Sequence, residues 1–412
     1  MDQNVLERRQ KDSWEEFFPE KAESALIESV VEMEQNSEWI PGITAKDIRL
    51  EALDNRPLFF DEQLRWRHMS GTEALADETA QSGTQLLIFT GAKSYSNGRC
   101  HELVRNTALD GIYRVAKLNG SALGRMDRSL FAETMNNAFS VARGSALGLI
   151  RYGKLSGLHS GSDGGYMVMP ISHLLDISAD SITRRFGNAV LKCGYNTHGF
   201  TRAEWELPDA QSELVDLYQE ALKESSNTSQ YPVNFMPGVD FHSSDTAGSC
   251  ATLSPVFYHN GTRISLVDGV HIKHLHRGDA KGREGVDLFA EEAKDIFAKF
   301  QEAARVIADL ASKRIYNPSN CCIRLCTRYN IAPKYGQAAL EEVNRITAGE
   351  LYITAHDLYI AMNEVLSEAE RQEASFGVMT RLEESLMKIT RADFARDDIS
   401  GVVAWGPTSV ND

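Results

Sequence analysis

Residues 250–277 read CATLSPVFYHNGTRISLVDGVHIKHLHR and contain the clearest strand pattern of the chain. Asn260-Gly261 and Asp268-Gly269 are dipeptides typical of two-residue hairpin turns, and they lie one strand length apart. The stretch therefore predicts three antiparallel strands in a meander. Pro255 cannot donate a ladder hydrogen bond, so we expect the first strand to be an edge strand or to carry a bulge.

Helical patterns surround this meander. Apolar residues recur every three or four positions from Val286 to Leu310, which predicts one long helix with a face that must be buried. Before the meander, a helix at 128–143 and a hairpin at 146–160 indicate interleaved elements of both kinds. The predicted fold class is α+β, with an antiparallel β-meander packed by a long helix.

The acidity of the chain lies at its two ends. The net charge of the 412 residues is −15, to which residues 1–40 contribute −7 and residues 341–412 contribute −8. The residues between them carry 33 charges of each sign. The total charge would disfavour binding to nucleic acid. Because the acidity lies at the ends, however, residues 41–340 are neutral overall and contain local basic segments.

Helical spacing is also found at both ends. Residues 22–33 predict an acidic N-terminal helix that begins near Pro19, and Pro41-Gly42 predicts its end and a hinge. Near the other end, Thr354 and Asp357 have the spacing of a helix capping box. The sequence thus predicts three regions, which are an acidic helical arm (1–42), an α+β core (43–340) and an acidic helical C-terminal region (341–412).

Composition argues against several classes of protein. Residues 1–11 lack the apolar segment of a secretion signal, and no run of about 18 apolar residues occurs, so we expect no membrane partner and a cytoplasmic location. The six cysteines form no C-x-x-C pair, which favours reduced and mostly buried thiols over a zinc ribbon or a disulfide framework. No complete catalytic motif is present, and no catalytic residue is predicted.

Basic residues interleaved with tyrosines give the leading functional signal. Residues 311–340 contain no acidic residue but five Lys or Arg and three Tyr. Lys and Arg can follow phosphates while Tyr rings stack on unpaired bases, although short acid-free windows also arise on solvated faces. A second acid-free segment with aromatic residues lies at 181–203, and a third group of Lys and Arg lies within 263–283. The predicted nucleic-acid-binding residues are Arg324, Arg328, Tyr329, Lys334, Tyr335, Arg184, Arg185, Lys273 and Arg277.

Two alternatives remain open. Asp240 and His242 alternate along one probable strand, as do His274 and His276 along another, so the four could bind a divalent metal in a metal-dependent hydrolase. Ordinary histidines at strand ends explain the same pattern, and the leading prediction therefore includes no cofactor. The third class is an oligomeric structural or interaction protein without a ligand.

Four stretches together resemble a known family. They are Arg65–Ser70, Ala132–Asn137, Leu149–Ser160 followed by Tyr166, and Ser244–Thr246 leading to Pro255–Phe257. They are similar to the phage/plasmid-like protein family (domain of unknown function 932) over most of residues 60–280. This resemblance implies a mobile-element protein of a bacterial host, encoded beside replication or recombination functions, and it implies no catalytic residue.

A second likeness concerns the fold alone. The predicted meander followed by one long helix is similar to the core of phage single-strand annealing proteins, which form rings on DNA. By this analogy we expect the protein to bind or anneal single-stranded nucleic acid as a homo-oligomer.

Overall fold

The computed structural model describes residues 13–52, 58–60, 66–68, 84–91, 101–120, 122–160, 166–224, 235–246, 248–259, 261–265, 272–274, 276, 284–374 and 376–405. Helices and mostly antiparallel sheets both occur in this part of the chain, which confirms the predicted α+β class. No helix within these ranges has the length and apolar character needed to cross a membrane.

Strands and helices alternate through the first two thirds of the chain, and helices dominate the last third. The strands are β1 (Glu15–Phe18), β2 (Ser37–Thr44), β3 (Arg49–Ala52), β4 (Leu58–Phe60), β5 (Trp66–His68), β6 (Leu86–Phe89), β7 (His101–Val104), β8 (Ser145–Arg151), β9 (Lys154–Ser160), β10 (Val190–Thr197), β11 (Thr201–Glu206), β12 (Met236–Ser243), β13 (Ala251–His259), β14 (Thr262–Ser265), β15 (Ile272–His274), β16 (Arg314–Ile315) and β17 (Ile353–Thr354). The α-helices are α1 (Glu23–Gln35), α2 (Leu109–Ala116), α3 (Arg128–Val141), α4 (Ile171–Phe186), α5 (Gln211–Glu224), α6 (Gly285–Ala293), α7 (Ile296–Ala311), α8 (Pro318–Arg328), α9 (Pro333–Ile346), α10 (Ala355–Met362), α11 (Glu364–Arg371), α12 (Phe376–Ile389) and α13 (Phe394–Asp397).

The larger sheet of the described chain contains seven antiparallel strands in the order β1-β10-β11-β12-β13-β14, with β15 also paired to β13. The observed strand order differs from the predicted three-strand meander. β14 pairs with residues 256–259 of β13, and β15 pairs with residues 251–253 along the same edge of β13. The expectation that this strand is an edge strand or carries a bulge is wrong, since β12 flanks the other side of β13 and pairs with it without a register shift. Pro255 lies between the two paired stretches, and the second predicted turn, Asp268-Gly269, lies outside the described residues.

The two faces of the seven-stranded sheet differ in polarity because side chains alternate along each strand. On one face, aligned residues are apolar, fully buried and covered by α4, α5, α6 and α7; they are Ala203, Phe241, Leu253 and Ile272. On the other face, the next aligned row is polar and consists of Arg202, His242, Thr252 and Lys273. We call these the apolar face and the polar face.

The predicted long helix is two helices. Its apolar residues do pack on the sheet, and the Phe300 ring lies 5.7 Å from the ring of Phe257 on β13. The helix is interrupted at Asp295, which has φ −93° and ψ 15° and donates its N–H to the Glu292 carbonyl. Helices α6 and α7 therefore share one buried face across a break that the spacing of apolar residues does not reveal.

The six-stranded sheet has the order β2-β8-β9-β7-β6-β3. Its β8–β9 hairpin confirms the hairpin predicted over 146–160, but the turn is Tyr152-Gly153, one residue before the expected Gly153-Lys154. Tyr152 and Gly153 take φ values of 49° and 72°, as a two-residue turn of this kind requires. The predicted helix at 128–143 is α3, which is capped by the Asp127 carboxylate. Asn136 of α3 binds both backbone groups of Leu50 at 2.7 and 2.8 Å and thereby holds β3.

The N-terminal region joins both sheets. Its predicted helix is present as α1 but begins at Glu23 rather than near Pro19, because residues 15–18 pair with β10 as β1. Pro41-Gly42 lies inside β2, where the register with β8 shifts between Ile40 and Ile43, and not at a hinge. The arm thus supplies one strand to each sheet.

Among the C-terminal helices, α10 contacts α7 in the layer over the apolar face, whereas α12 packs on the polar face, where Glu383 binds Arg202. The predicted capping box is present, with Thr354 Oγ1 accepting from the Asp357 N–H and donating to its carboxylate. The helical run that follows this capping box is divided at Asn363, whose Oδ1 accepts from the Ser265 N–H of β14. Helices α11 and α12 both contact β14.

Candidate functional site

A groove with a volume of about 1160 Å³ lies on the polar face of the seven-stranded sheet. Its floor includes Thr252 and Lys273, and one wall is formed by α12. The β10–β11 turn, residues 198–200, and the start of a helical run at Asn106 border it on the side of the six-stranded sheet. We refer to this space as the groove.

Strand register places the floor residues side by side. His242 pairs with Thr252, and Thr252 pairs with Lys273 in the next strand, so all three project to the same side. The His242 ring stacks on Phe200 at 5.6 Å with an angle of 20° between the planes, and Lys273 is exposed at the end of the row. The floor therefore passes from aromatic rings to a cation.

Helix α12 supplies further charges to the wall. Arg381, Glu384 and Lys388 are exposed and recur at helical spacing. Lys388 Nζ lies 3.8 Å from Glu384, and both side chains are about half exposed, so this ion pair is weak. Glu383 also lines the groove but is buried, and it contacts the sheet instead.

Beneath the groove lies a buried charge cluster of two guanidinium groups and three carboxylates. Arg202 binds Asp240 at 2.7 Å, Glu383 at 2.9 Å and Glu204 at 3.0 Å. Arg263 binds Glu204 at 2.7 Å and Asp240 at 3.2 Å. Burial alone raises the pKa of Asp240, but the two guanidinium groups outweigh it and hold that pKa well below its ordinary value.

Glu204 is ionised for the same reason. Burial raises its pKa, while Arg263 and Arg202 lower it by more, so the net shift is downward. The Tyr258 hydroxyl adds a hydrogen bond of 2.5 Å to this carboxylate. The buried charge cluster therefore fixes α12 to the sheet through the contact of Glu383 with Arg202.

Among the four candidate metal ligands, the side chains that the structure describes, those of Asp240, His242 and His276, do not converge. Asp240 is engaged by both arginines, and His242 Nδ1 lies 3.3 Å from its carboxylate. The backbone of His274 pairs with that of Ala251, and the His274 side chain lies outside the described part of the structure. His276 lies elsewhere, stacked 4.9 Å from the Tyr166 ring. Among the described residues, no group of three or more His, Cys, Asp or Glu is placed to hold a metal ion.

Most residues of the predicted basic segment at 311–340 are used within the fold. Arg324 and Arg328 both bind the buried Asp397 carboxylate, at 3.1 and 2.6 Å, and so tie α13 to α8. Tyr335 is only 5% exposed, and Tyr329 packs against the apolar core. Lys334 Nζ lies 4.8 Å from the Tyr335 ring.

The other predicted cations are divided between surfaces. Arg184 pairs with Asp180 at 2.9 Å, and Arg185 pairs with Glu213 and lies over the Phe297 ring in the helical layer on the apolar face. Arg277 lies outside the described residues. Among the described members of the predicted set, Lys273 lines the groove and the others do not.

Arg151 joins the two sheets beside the groove. Its guanidinium, which is fully buried, donates to Ser37 Oγ at 2.9 Å, to the His198 carbonyl at 2.5 Å and to the Asp245 carboxylate. His159 Nε2 lies 2.9 Å from the Asp245 carbonyl, and its ring stacks on Tyr166 at 3.8 Å. This sheet junction thus brings together two of the stretches quoted for the family resemblance, 149–160 with Tyr166 and 244–246.

Several groove residues were not among the predicted binding residues. His198 and Phe200 belong to a tight β10–β11 hairpin, for which Gly199 between two strand-like runs is the available signal. Arg381 and Lys388 lie in the acidic C-terminal region, where their helical spacing is visible but the regional charge of −8 conceals them.

The groove therefore combines exposed cations, stacked rings and hydroxyl groups on one surface. These groups suit a ligand that carries phosphates and planar rings. No family model, no curated protein and no solved structure matches the chain.

Proposed function

We propose that the protein binds single-stranded nucleic acid in the groove. The observation that carries the proposal is the placement of Lys273, Arg381 and Lys388 around one open surface with the Phe200–His242 stack on its floor. Cations that follow a backbone and rings that stack on bases are the two components of sequence-tolerant binding to single strands.

The acidic groups of the groove limit the affinity. Glu384 lies beside Lys388, and Glu15 of β1 lies on the opposite side of the groove. A phosphate must displace the weak Glu384 contact to reach Lys388, so binding is expected to be moderate and strongly dependent on salt.

The resemblance to the phage/plasmid-like family supplies the proposed context, which is replication or recombination of a mobile element in the cytoplasm of a bacterial host. We include a homo-oligomer in this proposal. The exposed Phe17 on β1, the edge strand of the seven-stranded sheet, supports it, because unpaired strand edges are surfaces on which chains associate.

A salt series tests the proposal. The affinity of a fluorescein-labelled oligothymidine of roughly 20 nucleotides, several times the site of a small module, is measured by anisotropy. The variant Lys273→Ala/Arg381→Ala/Lys388→Ala is expected to bind more weakly and to lower the slope of log affinity against log salt by about 2, since each contact contributes about 0.7.

The matched control removes three cations that do not line the groove, in Arg184→Ala/Lys299→Ala/Arg345→Ala. It carries the same change in net charge, so it separates a local effect from a general one. Equal losses in the two triple variants, or no binding of the wild-type protein at low salt, would contradict the proposal and favour an interaction protein without a ligand.

A further inference from the structure

His198 occupies an unusual place at the border of the groove. It is 3% exposed, it lines the groove, and it lies in the turn between β10 and β11. The turn is held firmly, because the Gly199 carbonyl accepts from Ser244 Oγ at 2.6 Å and from Thr246 Oγ1 at 3.1 Å. The position of the His198 ring is therefore set by the surrounding backbone.

The hydrogen bond on one ring nitrogen determines which nitrogen carries the proton. Arg105 Nη1 lies 2.6 Å from His198 Nδ1. A guanidinium can only donate, so Nδ1 must accept, and the proton of the neutral ring is on Nε2. His198 Nε2 is buried and has no hydrogen-bond partner among the described residues. A buried donor in this state is costly unless a ligand provides an acceptor.

The charges around the ring determine what kind of acceptor is suitable. Burial, followed by the nearby cations Arg105, Arg151 and Lys154, holds the pKa of His198 well below its ordinary value. The ring is therefore a neutral donor in a positive environment at neutral pH. That environment repels metal ions and favours an oxygen that carries negative charge.

A helix start adds to the same environment. Asn106 and Thr107 begin the helical run that continues into α2, and both line the groove together with His198. The positive end of the helix dipole lies at this start. Two independent features thus favour an anionic oxygen at this border of the groove.

We propose that His198 and this helix start form a subsite for a phosphate oxygen of the ligand in the groove. The inference rests on the proposed function, because it assigns to one phosphate of the bound strand a neutral hydrogen-bond donor in addition to the cations. His198 is then a binding residue, and Arg105 is a positioning residue that fixes its tautomer.

The first test compares His198→Leu, His198→Gln and Lys273→Gln in the oligothymidine assay. His198→Leu removes the donor and is expected to weaken binding about tenfold, as for a hydrogen bond to a charged group. The salt slope should not change, since a neutral donor releases no counterion. His198→Gln retains an acceptor for Arg105 and a donor for the ligand, and it should restore most of the affinity, whereas Lys273→Gln should lower the slope.

Wild-type affinity in His198→Leu, together with weakened binding in Lys273→Gln, would overturn the subsite while leaving the groove proposal intact. Thermal melting of each variant identifies a loss that comes from unfolding rather than from the missing donor.

A second test needs no substitution in the protein that is titrated. In protein labelled with ¹⁵N-histidine, nuclear magnetic resonance reports the tautomer of His198, and His198→Gln assigns its signals. Titration with inorganic phosphate is expected to shift the Nε2–H resonance. This result would support the subsite even if the oligonucleotide did not bind, and an unshifted resonance at saturating phosphate would overturn it.

The phosphate can be terminal or internal. To distinguish the two, the affinities of wild-type protein and His198→Leu are compared for oligothymidines that carry a 5′-phosphate, a 3′-phosphate or only hydroxyl ends. An effect of His198→Leu on the phosphorylated strands alone indicates a terminal phosphate, and an equal effect on all three indicates an internal one.

Discussion

The two faces of the seven-stranded sheet are built from alternate residues of the same strands, yet they are stabilised differently. Phe241 and its neighbour Asp240 are 0% and 2% exposed, so both are buried. Phe241 is stabilised by removal of apolar surface from water, which tolerates a similar side chain. Asp240 is tolerated only because Arg202 and Arg263 compensate its charge. The apolar face thus depends on volume and the polar face on complete pairing.

The largest expected effect comes from breaking that pairing. Arg202→Met keeps much of the side-chain length but leaves three buried carboxylates with a single guanidinium, and we expect a loss of about 3–5 kcal/mol of unfolding free energy. Phe241→Leu on the apolar face should cost only about 1.5 kcal/mol. Urea denaturation measures both changes, and a smaller loss in Arg202→Met than in Phe241→Leu would contradict the comparison.

A double substitution sharpens the same contrast. Adding Asp240→Leu to Arg202→Met removes a carboxylate that the first change has deprived of one of its two guanidinium partners. The loss in the double variant should therefore be smaller than the sum of the two single losses, by about 1–3 kcal/mol. Phe241→Leu combined with Arg202→Met provides the control, and a coupling of similar size in that pair would show that a shared backbone shift, not charge pairing, causes it.

The pH dependence of the unfolding free energy should also distinguish the two faces, with a smaller effect than the substitutions above. The pKa values of Asp240 and Glu204 are lowered in the folded protein, so their contribution to stability is complete above about pH 5 and is lost as the pH falls through the folded values. Asp240→Asn should reduce the slope of unfolding free energy against pH below about 4, while Phe241→Leu should retain the wild-type slope. Denaturation at a series of pH values measures these slopes, and equal slopes in the three proteins would refute this assignment.

The smallest effect on stability is expected at the exposed end of the polar row. Lys273→Gln should change the unfolding free energy by less than about 0.5 kcal/mol, because the side chain is exposed. The same substitution should lower the salt slope of oligothymidine binding by about 0.7. A large loss of stability without a change in slope would assign Lys273 to the fold rather than to the groove.

Several short sequence patterns predicted the local structure correctly. The capping box at Thr354 and Asp357, the β8–β9 hairpin and α3 all follow from short patterns. Short patterns do not predict the break at Asp295 or the position of β15 beside β13, because each depends on contacts with distant elements. The strand at residues 15–18 does not follow from a short pattern either, because its partner, β10, is distant in the sequence.

The candidate site was predictable only in part for a related reason. Alternation along β12 correctly places Asp240 and His242 on one face. It cannot show that Glu383, which is 181 residues from Arg202, completes the buried charge cluster. Acid-free windows likewise locate Arg324 and Arg328 but not their shared partner Asp397, which lies 73 and 69 residues further along the chain.

The strands contributed by the N-terminal arm have a consequence for protein synthesis. Ser37–Thr44 pairs with β8, which ends at Arg151, whereas Glu15–Phe18 pairs with β10, which ends at Thr197. A ribosome that adds about 5–20 residues per second produces the second partner roughly ten to forty seconds after the first strand. During translation β2 can therefore pair with β8 before β1, which carries the exposed Phe17, can pair with β10.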